Sequence, residues 1–381
     1  SIYAFSIFRP NLEKLWNITA TQSSLPFMIF LTMFAFAMPF SGNLMQKLGP
    51  RNTMFLGGIL VGIGWIAASF SQNINSLTLL YGAIAGTGVG IMYGVPIAAS
   101  AKWFPDKAGL AIGLTVGGFG LSALITAPII KQLIDAVGPL DTFLYLGVAF
   151  LIILIILSIP YKFPPEGWKP LDFISKTTYA TSSASNKEFD REEMVKTNSF
   201  WALWLTYTIG CFAGLMAIGI SAPAEKEVGL TTEISAFAVS LYAIFNFLGR
   251  PIFGWLTDKI KPHFSAILSF LIIGIASILI YAIRDKTIFI MGFCLLWLNL
   301  GGWLAIAPTV TKIFYGTKYY GKNYGLVFTA YGTGAITGGL VSGQIKDLSG
   351  SYFSVFPIVA VCSLVSIIVA FFFLRQPKKS N

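Results

Sequence analysis

The chain has 381 residues, of which 55% are hydrophobic and only 11% charged, with a mean hydropathy of +0.73. Soluble globular proteins carry about 25% charged residues, so a soluble class is excluded. The formal charge of +10 comes with one histidine, His263, and three cysteines, Cys211, Cys294 and Cys362, all in apolar runs. That inventory suggests no metal centre, no Ser-His-Asp triad and no disulfide framework, and no cofactor is expected.

Ser1–Phe8 opens the chain as an apolar run too short to cross a hydrocarbon core of ~30 Å, which takes ~20 helical residues. With no initiator Met and no signal peptide, it is expected to be part of an incomplete first helix. Eleven runs long enough to span follow: Thr21–Leu44, Thr53–Ser71, Leu77–Ala101, Gly109–Ile130, Thr142–Tyr161, Ser199–Ala222, Ile234–Thr257, Phe264–Ile283, Thr287–Thr311, Asn323–Ile345 and Tyr352–Leu374. The predicted fold is an all-α membrane protein of twelve helices. Residues 1–161 and 199–374 form two six-helix halves, 162–198 a solvated linker with a Ser/Thr/Ala-rich stretch at Thr177–Ser185, and 375–381 a tail.

The charges orient these segments. The linker, the tail and the loops between helices 2–3, 4–5, 8–9 and 10–11 hold 18 of the 26 Lys and Arg residues, whereas the 16 acids divide evenly between the two sides. A Lys/Arg bias of this kind marks the cytoplasmic side. The net charge is thus a topology signal, and no basic face interleaved with aromatics suggests nucleic acid. A multi-pass protein of the plasma or inner membrane is expected, its tail cytoplasmic and the chain a monomer.

Along the chain, the fourth helix carries Gly82, Gly86, Gly90 and Gly94, and the fifth Gly109, Gly113 and Gly117. Such stripes either let helices slide or simply pack them closely. Tyr93 places a phenol in the middle of the fourth helix, and a buried phenol needs a partner. In the eighth helix Arg250 is the only charge within Ile234–Thr257. It lies eight residues before Asp258, or ~12 Å from the helix end at ~1.5 Å per residue. A charge at that depth is either functional and turned to a cavity, or satisfied by carbonyls and snorkelling. Asn246, one turn away on the same face, could orient it, touch a substrate oxygen, or bond between helices. Weaker candidates for a substrate cavity are Ile2, Tyr3, Phe119, Trp297, Asn299, Trp303, Phe328 and Tyr331, each equally readable as packing.

The two halves repeat a motif. Gly42-Asn-Leu-Met-Gln-Lys47-Leu-Gly49-Pro-Arg51 follows the second helix, and Gly254-Trp-Leu-Thr-Asp258-Lys259-Ile-Lys261 the eighth; Lys102-Trp-Phe104 and Lys312-Ile-Phe314 end the fourth and tenth. Parallel halves of this kind mark duplicated transporters. The loop motif, its repeat and the six-plus-six layout resemble the major facilitator superfamily across the whole chain. Tyr3-Ala-Phe-Ser, Pro164-Pro-Glu-Gly-Trp168 and Gly249-Arg250-Pro251-x-x-Gly254 resemble its oxalate/formate antiporter and monocarboxylate transporter branch.

The resemblance implies alternating access, an arginine at Arg250 touching substrate, and gate charges at Lys47, Arg51, Asp258 and Lys259. Two departures stand out: Gln46 where the superfamily has Asp, and Lys261 where it has Gly. Oxalate exchangers of the resembling branch also use a lysine on the eleventh helix, and here Tyr331 stands in its place. One buried cation matches one carboxylate, and a second negative charge would go uncompensated in low dielectric. A small monocarboxylate such as lactate, pyruvate or formate is therefore the expected substrate. The membrane runs hold no Asp, Glu or His, so a proton would travel with the carboxylate, or a counter-anion would exchange for it. The resemblance leans to the proton. A membrane sensor of carboxylates is the alternative of another class; an enzyme lacks the acid–base groups.

Overall fold

The computed structural model describes residues 2–105, 107–165, 168 and 188–377. Thr177–Ser185 of the linker and the last residues of the tail lie outside them. A 3-10 turn, Ile2–Ile7, leads into α1 (Arg9–Trp16), which stops at Asn17 in the left-handed region. Together they are too short to span, as the first run predicts. Thr19 and Gln22 form a capping box that opens the 49-residue helix Ala20–Ala68. That helix breaks at Gly49, where φ is 78°. The following Pro50 disfavours helical backbone at position 49, and only glycine enters the left-handed region without cost. The break divides the helix into α2 (20–48) and α3 (50–68).

The remaining helices are α4 (Ile74–Trp103, with a π-helical turn at Thr78–Ala85), α5 (Ala108–Val137), α6 (Pro139–Ser158), α7 (Asn198–Glu227), α8 (Thr232–Lys259), α9 (Pro262–Ile283), α10 (Lys286–Tyr315), α11 (Tyr320–Val327 continuing as Thr329–Ser349) and α12 (Phe356–Phe373). Side-chain caps set several starts: Thr197 for α7, Thr231 for α8 and Asp285 for α10. The α10 backbone amides hold the Asp285 carboxyl below the usual carboxylate range. Among the described residues eight helices are long and apolar enough to cross a membrane, and one of them, Leu25–Ala68, contains both α2 and α3. α11 is broken at Phe328 and rich in Gly and Thr.

Glycines decide how closely the helices approach. A Cβ on Gly86 would stand 2.7 Å from the Phe30 carbonyl oxygen, and one on Gly94 2.9 Å from Ser41 Oγ; the α4 stripe therefore fits turn by turn against α2. The outward faces of α6, α9 and α12 expose Ile152, Ile156, Ile275, Ile278, Leu364 and Ile368, which suits a lipid surround. Two seams join the first six helices to the last six: α5 against α8, and α2 against α11. Loops 2–3, 4–5, 8–9 and 10–11 share what is called below the basic end.

Candidate functional site

Arg250 lies in the α5–α8 seam with no exposed surface. The seam is open enough for it because α5 presents Gly113, Gly117 and Gly120 there: a Cβ on Gly113 would meet the Arg250 backbone, and one on Gly120 would stand 3.4 Å from the guanidinium. Arg250 Nη1 donates to the Val116 carbonyl of α5, and Nη2 donates to Asn246 Oδ1 at 3.2 Å. The Phe119 ring of α5 lies 5.9 Å from the guanidinium carbon. Nε, also buried, has no hydrogen-bond partner among the described residues. An unmade bond to a buried charged group costs at least ~1–3 kcal/mol, so the guanidinium is only part-satisfied by its described neighbours.

Asn246 is the hinge of this arrangement. Its amide nitrogen donates to the Trp297 carbonyl of α10 at 3.1 Å while its oxygen receives Arg250. The backbones meet closely beside it: a Cβ on Gly301 would run into the Asn246 carbonyl, and one on Gly249 into Leu298. Asn246 thus both orients the arginine and ties α8 to α10, two of the alternatives its spacing left open.

An aromatic group surrounds the other side of Phe119. Its ring is 5.4 Å from Tyr93 and 6.0 Å from Phe34. Phe328, at the break in α11, is the hub: Phe34 lies 4.9 Å away, Tyr331 5.0 Å, Tyr93 5.6 Å, Tyr324 5.8 Å and Tyr207 6.3 Å. Trp303 stacks on Tyr207 at 6.0 Å. Tyr331 is linked to the neighbourhood of Arg250 through Phe34 and Phe119. The structure therefore brings Arg250, Asn246, Phe119, Tyr93, Phe328, Tyr331, Trp303 and Trp297 into one buried region.

It does not bring in Asn299, whose amide is committed to Ser269 of α9 and to the Leu295 carbonyl. Nor does it show Ile2 beside Arg250: Ile2 is buried in the 3-10 turn that packs on α5. The Tyr3 side chain lies outside the described residues.

Four contributors escaped the sequence reading: Phe34, Tyr207, Tyr324 and the Val116 carbonyl. Tyr324, Phe328 and Tyr331 share a face at i, i+4 and i+7, and that spacing could have found Tyr324. Nothing in the sequence marks Tyr207 or the Val116 carbonyl. Beyond the run ending at Ala222, α7 continues to Glu227 and buries Glu225 at 1% exposure.

At the basic end, Asp258 caps the start of α5: Oδ1 accepts from Gly109 N and Oδ2 from Leu110 N, each at 3.1 Å. The helix start has no side-chain cap of its own, and a carboxylate there meets the positive end of the helix dipole. The other expected gate charges, Lys47, Arg51 and Lys259, are exposed and form no ion pair among the described residues; Arg51 lies 5.4 Å over Phe55. Glu188 accepts from Thr317 N and Lys318 N just ahead of α11, and Arg191 donates to the carbonyls of Pro39 and Lys322.

The profile of the Major Facilitator Superfamily matches residues 1–317. The oxalate:formate antiporter of Oxalobacter formigenes is 28% identical over 376 residues, covering 98% of this chain and 87% of that one. Monocarboxylate transporter 2 of Homo sapiens is 25% identical over 367 residues, covering 92% and 76%. Among solved structures, the fucose:proton symporter FucP of E. coli aligns over 99% of this chain and 96% of its own with a TM-score of 0.71, at 17% identity. The proton:xylose symporter XylE aligns over 98% and 92% with a TM-score of 0.72, at 11% identity. With the motif-bearing loops and the helix order already described, these matches fix the assignment: the chain is an integral, multi-pass membrane transporter and belongs to the Major Facilitator Superfamily.

Proposed function

We propose that the protein carries small monocarboxylates, of the lactate, pyruvate or formate kind, by alternating access. The observation that carries this reading is Arg250, wholly buried, held from both sides of the α5–α8 seam and with an Nε that has no hydrogen-bond partner among the described residues. A carboxylate is the natural partner of such a fork, because two parallel charge-assisted bonds form at once. Asn246 holds the guanidinium plane, and Tyr93, Tyr331, Phe328 and Trp303 shape the remainder of the space. No other Lys or Arg stands among these residues, so one negative charge is matched and two are not.

On this reading residues 1–161 and 199–374 are the two rocking units, joined by the linker 162–198. The basic end faces the cytoplasm, as the positive-inside rule requires. Asp258 on the start of α5 holds that end shut, with Lys47, Arg51 and Lys259 around it. A proton accompanies the substrate.

Oxalate/formate-type exchange is the second reading, favoured by the 28% identical relative whose name carries both anions. Uptake of [14C]lactate and of [14C]oxalate into proteoliposomes separates the two. Lactate uptake with little oxalate exchange is expected. Tyr331→Lys, which adds a second cation across the aromatic group, should shift the ratio towards oxalate; an unchanged ratio in a well-folded variant would place specificity elsewhere.

A further inference from the structure

The linker meets the second half just before α7 and is built onto it residue by residue. Phe189 is buried, and its N–H donates to the Tyr315 carbonyl at the end of α10. Its own carbonyl accepts from Asn323 Nδ2 of α11 at 2.8 Å. The Phe189 and Tyr315 rings lie edge to face, 5.6 Å apart. Glu188 takes the amides of Thr317 and Lys318 between those two helices. Asp190 and Glu193 then form a capping box that opens a short helix, Arg191–Val195. Met194 of that helix is wholly buried, and Thr197 hydrogen-bonds the Tyr315 hydroxyl while capping α7.

From this segment Arg191 reaches the first half. Its Nη2 donates to the Pro39 carbonyl of α2 at 2.9 Å and to the Lys322 carbonyl of α11 at 3.3 Å. Glycines of α11 make that span short. A Cβ on Gly325 would stand 2.8 Å from the Pro39 Cα, and one on Gly321 3.2 Å from the Gly42 Cα. The guanidinium thus lies across the α2–α11 seam where the two backbones come together.

Both partners are neutral main-chain carbonyls, and Arg191 forms no ion pair among the described residues. Its Nε is buried with no hydrogen-bond partner among them. The acids next to it in sequence are engaged elsewhere, Asp190 and Glu193 on each other's backbone amides and Glu188 on the loop, while Glu192 is exposed. Parting a buried ion pair is strongly resisted, because each charge loses its partner. Parting a guanidinium from carbonyls leaves neutral groups behind, which costs less. Such a contact suits a joint that is made and broken in every cycle. Lys312, from the repeated Lys-Ile-Phe314 motif, also crosses between the halves in this way: Nζ donates to the Pro105 carbonyl of the α4–α5 loop at 2.6 Å.

We propose that residues 188–197 are a gate segment carried by the second half, and that Arg191 locks it to α2 while the basic end is closed. Opening parts Arg191 from Pro39, and the contacts of Glu188, Phe189 and Asn323 travel with the second half. The moving unit of that half then begins at 188 and not at α7. The proposal rests on the alternating-access reading and is indifferent to which substrate is carried.

Spin-label pairs measured by double electron–electron resonance test it without any substrate. Cysteines are placed two at a time at the exposed positions Asn52 of α3, Lys196 of the linker and Lys318 ahead of α11, with Cys211, Cys294 and Cys362 replaced by alanine. In Arg191→Gln the Asn52–Lys196 and Asn52–Lys318 distances should each gain a longer component. The open-to-closed ratio should rise about tenfold, the lower end of what a hydrogen bond to a charged group contributes. The Lys196–Lys318 distance should not change. Arg191→Met keeps the stem and has no donor, so it should open at least as far. Glu192→Gln, an exposed neighbour on the same helix, should leave all three distances as in the wild type.

Wild-type distances in both Arg191→Gln and Arg191→Met overturn the proposal. So does a lengthened Lys196–Lys318 distance, which would mean that the linker leaves the second half. An equal opening in Glu192→Gln overturns it too, because the effect would then belong to charge near the seam in general. If Asp258→Asn lengthens Asn52–Lys318 and the Arg191 variants do not, alternating access stands and this proposal alone fails.

Discussion

The two seams, α5 against α8 and α2 against α11, share an architecture and differ in chemistry. Both close at the basic end on a glycine pair. A Cβ on Gly109 would run into the Gly254 carbonyl, and one on Gly42 into the Gly321 backbone. In the α5–α8 seam a carboxylate from the neighbouring helix, Asp258, then caps the facing helix start. In the α2–α11 seam the corresponding loop residue is Gln46, which is exposed. The anion at the backbone amides ahead of α11 comes instead from the linker, as Glu188. Further in, the first seam holds Arg250 and Asn246, whereas the second is lined by Phe34, Phe328 and Tyr331. The lesson is a division of labour: one seam carries its charges on the facing helices, and the other is lined by aromatic rings and takes its charges from the linker, as Glu188 and Arg191.

Substitutions at the basic end can break or sharpen that contrast. The largest effect is expected from Asp258→Asn, which removes the ionised cap that the α5 start receives from across the seam. A capping charge at a helix start is worth about 0.3–1 kcal/mol at exposed sites and up to ~2 kcal/mol when partly buried. The variant should shift the carrier towards opening at the basic end, read as increased labelling of a cysteine placed at Met45, which packs on Gly321 across the α2–α11 seam. Unchanged labelling would mean that the glycine contacts alone hold the seam.

Glu188→Gln should do the same on the α2–α11 side by a smaller amount, because its partners are loop amides that are partly exposed. Equal effects of the two variants would erase the distinction between helix-borne and linker-borne charge. Gln46→Asp should have the smallest effect, in the opposite direction, by adding about 0.3–1 kcal/mol of closing charge near α11; its restoration of closure in the Glu188→Gln background is the sharper readout.

Much of this was legible in the chain. Run lengths and the Lys/Arg bias mark the helices, and the paired Gly-x-Leu loops mark the duplication. The break at Gly49 is written in the Gly-Pro pair. Arg250 and Asn246 are legible as a pair because a lone charge stands out in an apolar run and a four-residue spacing puts both side chains on one helix face.

Contacts between distant segments were not legible. No periodicity indicates that Arg250 donates to the Val116 carbonyl of α5, that Asp258 reaches Gly109, or that Asn299 turns to Ser269 rather than to Arg250. These depend on helix rotation and on where glycines let backbones approach. The burial of Glu225 was not legible for a related reason: a hydropathy run ends at the first charge, but a helix end packed by its neighbours does not.

The central claim is that Arg250 is the carboxylate-binding group, and ligand-induced stabilisation tests it most directly. Thermal unfolding of purified wild type and Arg250→Lys should be followed with and without saturating lactate, pyruvate, formate or oxalate. A ligand that binds only the folded state stabilises it by about 2.7 kcal/mol at a hundred times its Kd. The account predicts a raised Tm in the wild type with at least one monocarboxylate. It predicts no rise in Arg250→Lys, because a point charge cannot reproduce the guanidinium fork and a truncated buried charge pair loses roughly 2–5 kcal/mol. Equal stabilisation of both proteins by the same carboxylate would contradict it.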